Sequence, residues 1–135
     1  MIVVLDASAA LEIALNNPDG KRFRSLLSDS DVVIAPDIFP SEITNALWKY
    51  RVFSNVEQTK CEAAIDYCLD LVDDYIDTKD ICREAFSESA SRKHPAHDLF
   101  YLILARRNGA SLLSKDRKMA KMGKAMNIEI IGINL

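Results

Sequence analysis

Short continuous apolar runs alternate along the chain with stretches in which apolar positions recur every three or four residues. Ile2 to Leu5 is such a run, of the length expected for a strand buried on both faces. Ala9, Ala10, Leu11, Ile13, Ala14 and Leu15 continue as a short helix, with Asp6 and Ser8 available as N-caps. Pro18-Asp19-Gly20 is a turn, and Phe23, Leu26 and Leu27 place a second helix over 20–29. Val32 to Ala35 is the next buried strand, closed by Pro36. Phe39, Ile43, Ala46, Leu47 and Tyr50 share one face of a third helix that begins near Pro40 or Ser41. Cys61, Ala64, Ile65, Cys68, Leu69 and Val72 do the same for a fourth.

Tyr75 to Thr78 is a short strand, followed by a helix over 79–92. Leu99 to Ala105 is apolar apart from one tyrosine, so its periodicity does not separate helix from strand. Its flanks do: Pro95 suits a helix start, and Arg106, Arg107 and Gly109 suit a C-terminus. Ala110 to Ser114 is a strand, 116–126 a basic amphipathic helix, and Ile128 to Ile133 a last strand. Strands alternating with helices imply βαβ units, a central parallel β-sheet and a three-layer α/β/α sandwich, here as a single domain over residues 1–135.

Composition adds limits. With 49% hydrophobic and 27% charged residues, the chain is ordinary for a globular protein. No apolar run approaches the about 18 residues of a membrane span, and no basic leader precedes Asp6, so a secretory signal is not expected. Cys61, Cys68 and Cys82 form no Cys-x-x-Cys pair; Cys61 and Cys68 suit buried thiols in a reducing cytoplasm. Net charge is −3, but residues 92–124 hold nine of the 17 basic residues against two acids, Asp98 and Asp116. Residues 57–88 hold ten acids against three bases. A basic segment around two isolated acids suits a phosphate backbone beside a metal, or a solvated helix face.

In a parallel α/β sheet, ligands collect at the carboxyl ends of the strands. Asp6 follows the first strand, Asp116 lies just beyond Ser114, and Glu42 and Asp98 sit in first turns of helices. Each acid alone is also accounted for as a helix cap or first-turn charge. Together they would crowd one sheet edge, where like charges repel unless a cation lies among them. An all-oxygen set selects a hard ion, Mg²⁺ or Mn²⁺, and such an ion can activate water and polarise a phosphoryl oxygen.

Asp6-Ala7-Ser8, the run Ser41 to Leu47, the run His97 to Ala105, and Leu112-Leu113-Ser114-Lys115-Asp116 together resemble PIN domains. In order and spacing they look like the VapC-type toxins of bacterial toxin–antitoxin pairs. The resemblance implies a metal-dependent ribonuclease in which Asp6, Glu42, Asp98 and Asp116 are catalytic and hold one or two Mg²⁺ or Mn²⁺ ions. It also implies a homodimer, and an antitoxin whose C-terminal segment blocks the site. Ser114 stands where relatives more often carry Thr, keeping the hydroxyl; the segment Arg92 to His97 varies, so neither histidine inherits a role.

Around the acids, the Ser8 hydroxyl suits a metal water, a phosphate or a plain helix cap. Asn45, one turn from Glu42, suits orientation of that acid or contact with RNA. Ser114 suits the site or the following helix equally. Lys115, Arg117 and Lys118 are the candidate RNA phosphate contacts. His94 and His97, split by Pro95, do not make a zinc site. Trp48 and Phe53 lie off the buried stripe of their helix, as interface or edge packing.

A haloacid-dehalogenase-like phosphatase is excluded because position 8 is Ser where that chemistry needs a second Asp. A nucleotide switch is excluded because Gly20, Gly109, Gly123 and Gly132 form no phosphate loop. Two alternatives stay open: a non-catalytic PIN-like module that binds RNA or protein, and a free-standing RNA-processing nuclease without antitoxin.

Overall fold

A computed structural model describes residues 1–135. The strands are β1 (Ile2–Leu5), β2 (Val32–Pro36), β3 (Asp74–Ile76), β4 (Ser111–Leu113) and β5 (Ile130–Ile131). The helices are α1 (Ala7–Ala14), α2 (Gly20–Ser28), α3 (Phe39–Phe53), α4 (Gln58–Asp70), α5 (Cys82–Arg92), α6 (Ala96–Asn108) and α7 (Arg117–Ala125). All strand pairings are parallel, in the order β3-β2-β1-β4-β5. Val4 of the central strand sits beside Ile34 on one side and Leu112 on the other. Val3, Val4 and Leu5 are wholly buried, which is why their run carries no polar alternation.

From β1 the chain builds outward to β2 and β3, then returns to lay β4 and β5 against the other side of β1. The winding therefore reverses between β1 and β4, and their carboxyl ends flank the crevice where such sheets take ligands. The Asp6 N–H donates to the Leu113 carbonyl at 3.0 Å, tying the two ends together.

Helices cover both faces. α6 packs on β1, β2 and β4 with α5 and α7 beside it, while α1 gathers α2, α3 and α4. In α6, Leu99 and Tyr101 to Ala105 are all buried, so the helix has almost no polar face to reveal its period. Pro95 precedes it, and Gly109 ends it in the left-handed conformation at φ 57°. Fully burying one Leu or Ile here is worth about 1.5–3 kcal/mol, so this apolar contact outweighs the exposed ion pairs on the same helix. Those pairs join the two charge blocks of the sequence: Arg106 and Arg107 engage Glu84, and Arg92 and Arg106 engage Glu88.

The boundaries depart from expectation at the sheet edges. The helix over 79–92 divides into a 3₁₀ turn at Thr78–Asp80 and α5. The last strand keeps two residues, because Gly132 turns the chain away at φ 83°, where a Cβ would lie 2.5 Å from Leu113 Cδ1. Cys61 and Cys68 are buried free thiols and Cys82 is exposed. No helix is long and apolar enough to cross a membrane.

Candidate active site

Asp6, Glu42, Asp98 and Asp116 line one cleft of about 550 Å³, walled by Asn45, Lys49, Tyr50 and Phe53 of α3. Four elements deliver the acids: the end of β1, the first turns of α3 and α6, and the N-cap of α7.

Capping explains only one of them. Asp116 caps α7, its Oδ1 accepting the Met119 N–H at 3.0 Å. Asp6 occupies the N-cap position of α1, yet its side chain caps nothing. Instead Oδ2 accepts from the Ser8 hydroxyl at 2.5 Å and the Ser114 hydroxyl at 2.8 Å. Each serine is itself fixed, accepting at 2.9 Å from the backbone N–H of Lys115 and Asp116 respectively. Ser8 and Ser114 thus act on Asp6, and neither is the cap of a helix. Glu42 Oε1 accepts from the Tyr101 hydroxyl at 2.5 Å, and Asp98 Oδ2 lies 2.7 Å from His94 Nε2. In each acid these bonds fall on one oxygen. The protein has no buried side-chain oxygen without a partner, so the other oxygens are not sealed from solvent.

Burial pushes the Asp6 carboxyl up, the serine hydroxyls partly offset this, and the Asp116 charge adds to it. Burial also raises Glu42, against the Tyr101 hydrogen bond and with the charges of Asp6 and Asp98. The acids therefore feel one another across the cleft. No three His, Cys, Asp or Glu side chains converge closely enough to hold one ion between them. Mg²⁺ keeps several waters and is commonly held by one or two carboxylates, so an all-oxygen cleft with one free oxygen per acid fits such an ion in kind.

Among the supporting residues, Asn45 lines the cleft, but Glu42 is held by Tyr101 instead. The cation on the cleft wall is Lys49. Lys115 is engaged by Glu12 and Asp19 at 3.3 Å each and, with Arg117, borders a different cavity. Lys118 is exposed on α7. Sequence reasoning passed over His94, Tyr101 and Lys49. In sequence, His94 is weighed only with His97 as a zinc pair, while its true partner is Asp98, four residues on. Tyr101 is the one polar-tipped residue of an apolar run, and Lys49 sits in no motif that marks it out.

The PIN domain family model matches residues 3–125. PAE2754 from Pyrobaculum aerophilum superposes with a TM-score of 0.74 at 18% identity, covering 96% of this chain and 83% of that one. VapBC2 from Rickettsia felis, bound to a DNA fragment from their promoter, gives a TM-score of 0.66 at 16% identity. It covers 96% of this chain and 97% of that one. At these identities the likeness is one of fold. No curated protein sequence matches the chain.

Proposed function

As the chain belongs to the PIN domain family, we propose that it is a divalent-metal-dependent endoribonuclease and the toxin of a toxin–antitoxin pair. The observation that carries this reading is Asp6, a carboxylate only 5% exposed that caps no helix and is clamped by two serines at the sheet's switch point. A buried charge held this way costs stability, and a cation-dependent role in the cleft accounts for its presence.

Asp6, Glu42, Asp98 and Asp116 would hold one or two Mg²⁺ or Mn²⁺ ions, which when bound neutralise the phosphate and acidify the attacking water. Water adds to phosphorus, the P–O3′ bond breaks, and the proton ends on the 3′ oxygen. Glu42, held on Oε1 by Tyr101, would complete the ion's shell or orient the water, and a carboxylate of the cleft passes that proton on. Asn45 and Lys49 contact the RNA strand, and Tyr50 offers a surface for base stacking. Exposed Trp48, Val52 and Phe53 on α3, with Trp48 and Phe53 edge-to-face at 5.7 Å, are the proposed homodimer contact. The fold shared with VapBC2 supports an antitoxin partner, and the free thiols of Cys61, Cys68 and Cys82 suit action in a reducing cytoplasm.

The test is RNA cleavage with Mg²⁺ or Mn²⁺, expected to disappear with EDTA and in Asp6→Asn. The absence of three converging acids favours one rival, the non-catalytic RNA-binding module. RNA retained by the wild type without product in either metal would establish that rival and end the nuclease reading.

A further inference from the structure

A second cavity, of about 580 Å³, is lined by Arg22, Lys115 and Arg117 together with Asp19 and the segment Gly132 to Asn134. The β4–α7 loop is the partition between it and the acid cleft. Lys115 and Arg117 line this cavity, and Asp116 between them lines the cleft. Asp116 is extended, at φ −78° and ψ 104°, so successive side chains leave on opposite sides.

Its two guanidiniums are held in a particular way. Arg22 Nη1 donates to the Gly132 carbonyl at 2.8 Å, and Arg117 Nη1 donates to the Asn134 carbonyl at 3.1 Å. A carbonyl orients a guanidinium without cancelling its charge. Arg22 and Lys115 share Asp19, and Lys115 also meets the buried Glu12. Three cations thus face two acids, and Arg117 is the one without a carboxylate. The acid cleft has the opposite balance, with Lys49 against four carboxylates, and would repel the phosphates that flank a scissile bond.

We propose that this cavity is a phosphate subsite, in which Arg22 and Arg117 take a backbone phosphate of the single-stranded RNA whose scissile bond lies across the β4–α7 loop. The subsite rests on the ribonuclease reading for the identity of the strand. The planar guanidinium forks suit a phosphodiester, and pre-orientation by the tail carbonyls lowers the entropy lost on binding. A free phosphate offers the same chemistry, so length dependence separates the two sources: a strand must reach both cavities.

The test measures binding of fluorescent RNA to the full chain in EDTA, as a function of salt, for a dinucleotide and a twelve-nucleotide strand. Arg117→Gln and Arg22→Gln should each weaken the long strand roughly three- to tenfold and leave the dinucleotide unchanged. The salt slope should fall by about 0.7 for each phosphate left without its arginine. Arg117→Lys, which keeps the charge and the fold, should recover part of the loss. Lys121→Gln, an exposed change of equal charge outside the cavity, should have little effect. Arginine variants that bind the long strand like wild type, or no worse than Lys121→Gln, would overturn the subsite. So would equal weakening of both strands, or inorganic phosphate displacing neither, or a loss confined to antitoxin binding. Cleavage plays no part in this measurement, so a wild type that binds without cutting would refute the nuclease reading and leave the subsite to be judged separately.

Discussion

His94 brings its Nε2 to within 2.7 Å of Asp98 Oδ2, from a buried position just after Lys93, which turns the chain through the left-handed region at φ 54°. A hydrogen on Nε2 donates to the carboxylate, fixes its rotation and leaves Oδ1 without a side-chain partner. His94 is therefore a positioning residue for Asp98. His94→Ala is expected to lower Mn²⁺ affinity about 10- to 100-fold, the usual cost of losing such a support. His94→Gln, which keeps a donor, should recover part of it. Titration of Mn²⁺ in the absence of RNA checks this, and equal affinity in wild type and His94→Ala would remove the role.

Asp6 contributes a distinct part of the pH dependence of stability. Burial raises its native pKa above the ordinary 3.8, so between 3.8 and that raised value the native state binds more protons than the unfolded chain. Stability falls as pH rises through this window, and at neutral pH the ionised Asp6 is a net cost. Asp6→Asn should abolish cleavage and yet stabilise the fold by about 1 kcal/mol at pH 7, the common size of a trade between activity and stability. The gain should vanish below pH 3.8. Thermal melts across pH decide it; an Asp6→Asn protein no more stable than wild type at pH 7 would contradict the account.

Tyr101 restrains Glu42 from within the core. Burial and the neighbouring acids push the phenol far upward, so it remains a hydrogen donor at every working pH. Its bond lowers Glu42 against the upward effect of burial. Tyr101→Phe should cost about 1 kcal/mol of stability and move the acid limb of the pH–rate profile upward. A profile unchanged in position would show that Glu42 does not set that limb.

The thiols provide a test of packing. Burial pushes Cys68 up to about 12, and Cys61 is buried as well, whereas Cys82 is exposed. Native protein treated with iodoacetamide at pH 8 should take one label, at Cys82, and three after unfolding. Mass spectrometry showing rapid native labelling at Cys68 would mean that the α4 face opens far more readily than its burial implies.

The apolar runs of β1 and β2 and the flanks of α6 made the parallel sandwich readable, because each records burial or termination in local residue choice. The same holds for the four acids: Asp6 and Asp116 follow strand ends, and Glu42 and Asp98 open helices. β5 was overextended because Ile128 to Ile133 carries four isoleucines, while the turn at Gly132 depends on contact with Leu113, remote in sequence. The supports of the acids were harder still. Tyr101 reaches Glu42 across 59 positions, and Ser114 reaches Asp6 across 108, distances at which no spacing rule operates. The basic segment misled in part: Arg92, Arg106 and Arg107 serve Glu84 and Glu88 within the protein, not a ligand.

The bond between Ser114 and Asp6 spans 108 positions, and this has a bearing on synthesis. Proteins emerge from the ribosome N-terminus first. Asp6 is therefore made long before its partner strand β4, the Ser114 clamp and the acid at Asp116. A growing chain short of that point has neither the crevice nor the last carboxylate. Whatever chemistry the cleft performs is withheld until β4 and the loop after it have been released.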